Sequence, residues 1–163
     1  MYKGTVMKNL LVPVDLSETS IFVVDRASCL AQSFGSKIWL LHVFLPSHGP
    51  VPYNVDRKHL RKEMARELVF KRHKLQQLIA RLRQEHVNVA PRFIAGNIPK
   101  IILNEATRVN ADLIILGSHG HSNLYHALLG GVGQKVKRKA ACPVMLVRKP
   151  DYYSDSHLDF CAS

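Results

Sequence analysis

The chain has three cysteines, Cys29, Cys142 and Cys161, among 163 residues. That number is too small and too odd for a disulfide framework, and a reducing, cytoplasmic compartment is expected. Cys29 and Cys142 sit among apolar neighbours and read as buried thiols. No segment approaches the ~20 consecutive apolar residues of a membrane span, so no membrane partner is expected. The opening MYKGTVMKN holds no apolar run of the kind a secretory signal needs. Acidic residues are scarce too: 12 Asp and Glu face 23 Lys and Arg, for a formal net charge of +11. The surplus is local, since residues 57–83 carry ten Lys or Arg against two Glu. A charge run of that kind ordinarily marks a solvated helix face, so no specific nucleic-acid binding is expected. Any contact with DNA would be weak, salt-dependent and blind to sequence.

What is present is an ordinary globular composition, 47% hydrophobic and 21% charged, in a chain long enough to bury roughly 70% of its unfolded surface as one domain. Residues 8–15, KNLLVPVD, form a near-continuous apolar run ending in a carboxylate, and predict a first strand with Pro13 near its end. LSETS then turns into a helix whose apolar positions are Ile21, Val24, Ala27, Ala31 and Phe34, closed by Gly35. Ile38–Leu45 is a second strand, apolar on both faces, and His42 within it reads as a core histidine. Residues 46–56 are turn-rich and make one long loop. A basic helix follows over 57–86, with an apolar stripe of Leu60, Met64, Leu68, Leu75, Leu78, Ile79 and Leu82. Val87–Ala95 is a third strand. Gly96-Asn97 turns the chain into a helix that has Pro99 in its first turn and Ile101, Ile102, Ala106 and Val109 on its inner side.

The remaining stretch organises the rest. Leu113–Leu116 is a short buried strand that stops at Gly117; glycines follow at 120, 130, 131 and 133, then a basic helical segment, then a fifth strand from Pro143. Glycines at a helix start are costly, at roughly 1 kcal/mol each against Ala. They are tolerated where backbone must approach something closely or adopt positive φ. A strand, a glycine loop and a helix N-terminus together suit an anion, because unpaired N–H groups and the helix dipole both favour phosphate. Tight turning and close helix–sheet packing explain the same glycines equally well. No G-K-[ST] follows, so this is not a Walker loop.

Four β-α units closed by a fifth strand define an α/β fold, a single doubly wound parallel five-stranded sheet. Orders 3-2-1-4-5 and 2-1-3-4-5 both satisfy that alternation. Lys149–Ser163 is polar and aperiodic and reads as a flexible tail, 149–163, after a domain spanning 1–148.

The spacing Gly117-x2-Gly120-x9-Gly130, with GSHG at 117–120, QKV at 134–136 and ACPVMLV at 141–147, resembles the universal stress proteins. The likeness extends to about Arg148. It implies strand order 3-2-1-4-5 in a Rossmann-like, adenine nucleotide alpha hydrolase-like fold. It also implies ATP or AMP as ligand, with magnesium as a further candidate, and a homodimer through the last strand, Pro143–Arg148. The positions that would contact nucleotide are Pro13, Val14, Asp15, Val43, Leu116, Gly117, Gly120, His121, Gly130, Gly131, Val132 and Gly133. The likeness favours the phosphate reading of the glycines over the packing one.

Within that set, the residues from Gly120 to His121 and from Gly130 to Gly133 would offer backbone N–H groups to phosphate. Asp15 would repel a triphosphate, so it suits ribose hydroxyls, an adenine amine or magnesium; a helix N-terminal charge is its other reading. One position departs from the pattern: nucleotide binders of the family carry Ser or Thr after the third glycine, and this chain has Gly131. His119, His121 and His126 invite a metal reading, but no Cys or carboxylate lies nearby to complete four ligands, so no metal site is expected. No nucleophile–base pair is legible, so binding with at most slow ATP hydrolysis is expected, and not an enzyme. The alternative is a nucleotide-free dimeric interaction protein of the same fold.

Overall fold

The computed structural model describes residues 7–45, 57–117 and 132–148. The elements in order are β1 (Asn9–Pro13), α1 (Thr19–Phe34), β2 (Lys37–Phe44), α2 (Arg57–Gln84), β3 (Val89–Ala95), α3 (Ile98–Arg108), β4 (Leu113–Gly117), α4 (Val132–Lys139) and β5 (Val144–Val147). The strands form one sheet in the order 3-2-1-4-5, and every pairing is parallel. The expected α/β doubly wound sheet is therefore present, in the first of the two orders. The loop at 46–56 and the tail at 149–163 lie outside the described residues.

β1 is central because it is apolar on both faces. Leu10, Leu11 and Val12 are each fully buried. Strand alternation sends Leu10 and Val12 into one layer with Ile38 and Leu40, beneath α1 and α2. Leu11 goes to the other layer with Leu41, Ile114 and Leu116, against Ile102 and Ala106 of α3 and Val136 of α4. Covering both faces is what allows parallel strands to read as continuous hydrophobic runs.

Three helices end in the same way. Gly35, His86 and Asn110 adopt left-handed backbone, at φ 65°, 58° and 48°. After each, an N–H reaches back into the last turn: Ser36 to Ala31, Val87 to Leu82 and Ala111 to Ala106, all at 2.9 Å. These bonds satisfy carbonyls the helix itself leaves without partners. Only Gly35 announces the device in the sequence, so the expected end of the basic helix at His86 moves back to Gln84. At the start of α3 the Asn97 side chain accepts from the Lys100 N–H at 3.2 Å, with Pro99 in the first turn as expected.

Several burial expectations need correction. Ile21 and Phe34 are exposed, at 41% and 46%; Val23 and Val24 take the inner face of α1. Ile21 sits at the rim of the buried arc, and Phe34 is the last helical residue before the reversal at Gly35. In α2 the stripe is buried at Leu75, Ile79 and Leu82 but only half-buried at Met64 and Leu68. The side chain of Leu60 lies outside the described set. Cys29 and Cys142 are half-buried, not buried. Cys29 is disulfide-bonded, not the thiol expected, and Cys142 is a free thiol.

Candidate functional site

The carboxyl end of β1 is tied to β2 by backbone and side-chain hydrogen bonds. Register places Pro13 beside Leu41 of β2, and the same offset brings Asp15 to the level of Val43. Just beyond the strand, the Val14 N–H donates to the Leu41 carbonyl at 2.8 Å. Leu16 then takes a left-handed conformation, φ 63°, although it is a buried leucine. That geometry costs a Cβ-bearing residue about 1 kcal/mol or more. It turns the Ser17 N–H back onto Asp15.

Asp15 Oδ1 accepts three hydrogen bonds: from the Ser17 N–H at 3.0 Å, the Ser17 hydroxyl at 2.5 Å and the Ser20 hydroxyl at 2.7 Å. The carboxylate is thus fixed at the entry to α1, which has no acidic residue of its own in the first turn. A carboxylate near a helix N-terminus is favoured by the helix dipole. The other reading of Asp15, a helix N-terminal charge, fits this position, although the N-cap itself is Glu18 and makes no side-chain cap bond. The bonds to Ser17 and Ser20 hold the carboxylate in one orientation at the end of the strand.

On the other side of β1, register pairs Leu10 with Leu113 and Leu11 with Ile114 of β4. Carried forward, this offset brings Val14 to the level of Gly117, the last residue of β4. β1 and β4 are neighbours, and their following helices lie on opposite faces, α1 with the first layer and α4 with the second. This is a topological switch point, the crevice where open α/β sheets bind ligands. Pro13, Val14, Asp15, Val43, Leu116 and Gly117 all lie at this edge. Val14, Val43 and Leu116 are buried, at 6%, 8% and 3% exposure. Val132 and Gly133 form the first turn of α4, with Gly133 buried. Gly120, His121, Gly130 and Gly131 lie outside the described residues, as do His119 and His126.

Two residues at this edge were not read from the sequence as site residues. His42, on β2, is 3% exposed and places Nδ1 2.9 Å from the Val14 carbonyl oxygen. Its pKa is lowered, first by burial and also by Lys71, against the raising effect of the Val14 carbonyl and of Asp15. Lys74 of α2 brings its ammonium 3.5 Å from the Leu16 carbonyl oxygen. In the sequence Lys74 is one cation within a basic run, and nothing local distinguishes it. Among the described residues no cluster of three or more His, Cys, Asp or Glu is placed to hold a metal ion.

Among the described residues the edge therefore presents a held carboxylate, apolar strand ends and Gly117 at the end of β4. Such an arrangement suits a flat apolar ring carrying hydroxyls and an anionic tail. The family profile described as "Universal stress protein family" matches residues 7–148. The solved structure of MJ0577, a universal stress protein of Methanocaldococcus jannaschii, is 25% identical with a TM-score of 0.72, covering 90% of this chain and 99% of that one. A universal stress protein solved in complex with cAMP is 22% identical with a TM-score of 0.64, covering 88% and 98%. One from Archaeoglobus fulgidus in complex with dAMP is 19% identical with a TM-score of 0.59, covering 86% and 98%. The match over residues 7–148 takes in every described element from β1 to β5, and the chain belongs to the universal stress protein family.

Proposed function

We propose that the chain binds an adenine nucleotide at the carboxyl edge of β1 and β4 and uses its occupancy as a regulatory signal in a stress response. The observation that carries this reading is the coincidence at one edge of the fixed Asp15 carboxylate and the switch point between β1 and β4. Pro13 and Val43 would flank the base, Asp15 would accept from ribose hydroxyls, and the N–H groups around Gly120, His121 and Gly130–Gly133 would meet phosphate. The relatives in complex with cAMP and dAMP support an adenine ring with a short phosphate tail. ATP, with or without magnesium, extends that reading to a longer tail. Binding without turnover is proposed, with at most slow hydrolysis. The protein would act in the cytoplasm as a homodimer through β5.

The test is whether nucleotide co-purifies with the protein, read by mass spectrometry of the supernatant after denaturation, followed by calorimetric titration with AMP and ATP. Bound or titratable adenine nucleotide is the expected result. Protein that is nucleotide-free and silent to both titrants, yet dimeric, would establish the alternative of an interaction protein that does not use the site.

A further inference from the structure

α2 is 28 residues long, about 42 Å at 1.5 Å per residue. Its inner face is spent on the core through Leu75, Ile79 and Leu82. On the opposite face Lys62, Arg66 and Val69 follow one another at helical spacing, all exposed, whereas the Arg72 guanidinium turns to the sheet side, 5.4 Å from the Phe93 ring centroid. Val69 is 69% exposed and its neighbour Phe70 is 57% exposed, the two most exposed large apolar side chains on this helix among the described residues. Two acidic residues border the patch: Glu63, one turn before Arg66, and Glu67, one turn before Phe70, the latter held by Lys71 at 2.7 Å.

Cations alone would suit any polyanion, so the two apolar side chains decide between partners. Phosphate offers nothing to Val69. A nucleobase stacks on an open ring face, but Phe70 already carries the Lys74 ammonium 4.9 Å from its ring centroid. A bilayer interface accepts both features: lipid phosphates meet the Lys and Arg heads while short apolar side chains enter the headgroup–acyl boundary. A helix lying along the outside of the domain is a convex ridge, a shape that meets a flat surface along its length. No described helix is long and apolar enough to cross a membrane; the contact argued here lies on the surface and requires no span.

We propose that the solvent face of α2 docks on an anionic lipid bilayer, with Lys62, Arg66 and their neighbours among the headgroups and Val69 and Phe70 at the acyl boundary. No membrane partner is expected from the sequence, since no segment approaches the ~20 apolar residues of a span; the exposure of Val69 and Phe70 is decided by packing.

The test uses the full chain and vesicles of phosphatidylglycerol mixed equally with phosphatidylcholine, against vesicles of phosphatidylcholine alone. Co-sedimentation with the mixed vesicles only is expected, weakening as salt rises. Lys62→Glu with Arg66→Glu should weaken it by on the order of tenfold or more. Val69→Ser with Phe70→Ser should weaken it several-fold while circular dichroism stays unchanged, since both side chains are exposed. Phe70→Trp should give a blue-shifted emission on vesicle addition, above the background of Trp39. Three results would overturn the proposal: no binding to the anionic vesicles, no emission shift at residue 70, or binding that the Val69→Ser/Phe70→Ser pair leaves untouched. The last, together with equal affinity for duplex DNA, would make the face a general polyanion surface.

Discussion

The His42 ring holds the end of β1 through a bond from Nδ1 to the Val14 carbonyl oxygen, 2.9 Å long. A carbonyl only accepts, so Nδ1 carries the proton and the ring is neutral with its lone pair on Nε2. That second nitrogen is buried and has no hydrogen-bond partner among the described residues. Protonating it would place a cation in the core, which is why burial dominates the lowering of the His42 pKa.

The lowered value fixes the sign of a pH effect. The unfolded chain protonates His42 near 6.5, the ordinary histidine value, and the folded chain only at lower pH. Between the two, protons favour the unfolded state, so this contribution to stability is complete above 6.5 and is lost as pH falls toward the folded value. Urea midpoints taken from neutral pH downward should drop more steeply for the parent protein than for His42→Gln. Identical slopes would show that His42 does not control this range.

His86 occupies a left-handed position with an exposed side chain, and glycine is the residue that takes such a position without Cβ strain. His86→Gly should therefore stabilise the fold by about 1 kcal/mol. Asn110→Gly should gain less, because asparagine tolerates the left-handed region better than histidine does. Urea denaturation of the two variants decides it, and a loss of stability in His86→Gly would contradict the end of α2 described here.

Arg81 joins two carboxylates across α1 and α2, reaching Asp25 at 2.6 Å and Glu85 at 3.1 Å. Glu85 Oε2 in turn accepts from the Ser28 hydroxyl at 2.6 Å. Burial already raises the pKa of Asp25, and Arg81 is the main influence opposing that rise. Arg81→Leu should destabilise the protein at neutral pH by roughly 1–2 kcal/mol, a value discounted for the partial exposure of the pair. At pH near 4 the loss should shrink, since Asp25 then takes up a proton. A penalty equal at both pH values would point to lost packing instead of exposed like charges.

β5 is an edge strand carrying Met145 and Leu146 at 38% and 49% exposure. An apolar edge of this kind invites pairing with a second chain. Light scattering at micromolar concentration should report a dimer for the parent and a monomer for Met145→Lys with Leu146→Lys. A monomeric parent would remove the proposed interface.

In the proposed site Gly131 has no side-chain hydroxyl to offer a phosphate. A hydrogen bond to a charged phosphate oxygen contributes about 1.5–3 kcal/mol. Gly131→Ser should therefore tighten ATP binding by roughly ten- to a hundredfold, and adenosine binding hardly at all. Equal gains for both ligands, or none for either, would mean that residue 131 does not face phosphate.

The alternation of short apolar strands with helical periods determined the element order, because burial on both faces writes itself into the sequence as runs such as Leu10–Val12 and Leu113–Leu116. Gly35 and Asn97-x-Pro99 were legible as helix punctuation, since each is a local backbone requirement. The pattern of glycines and the flanking words carried the family resemblance, and with it the choice between two strand orders that periodicity left open. Other features depended on contacts between segments distant in the chain. His42 is tied to Val14 across neighbouring strands, Lys74 reaches Leu16 from 58 residues away, and Asp15 is held by Ser17 and Ser20 only because Leu16 turns left-handed between them. Burial showed the same divide. The apolar period of α1 marks Ile21 as strongly as Val24, yet Ile21 is 41% exposed and Val24 only 1%. A period fixes which residues share a helix face; how far the neighbouring layer reaches across that face is decided by packing.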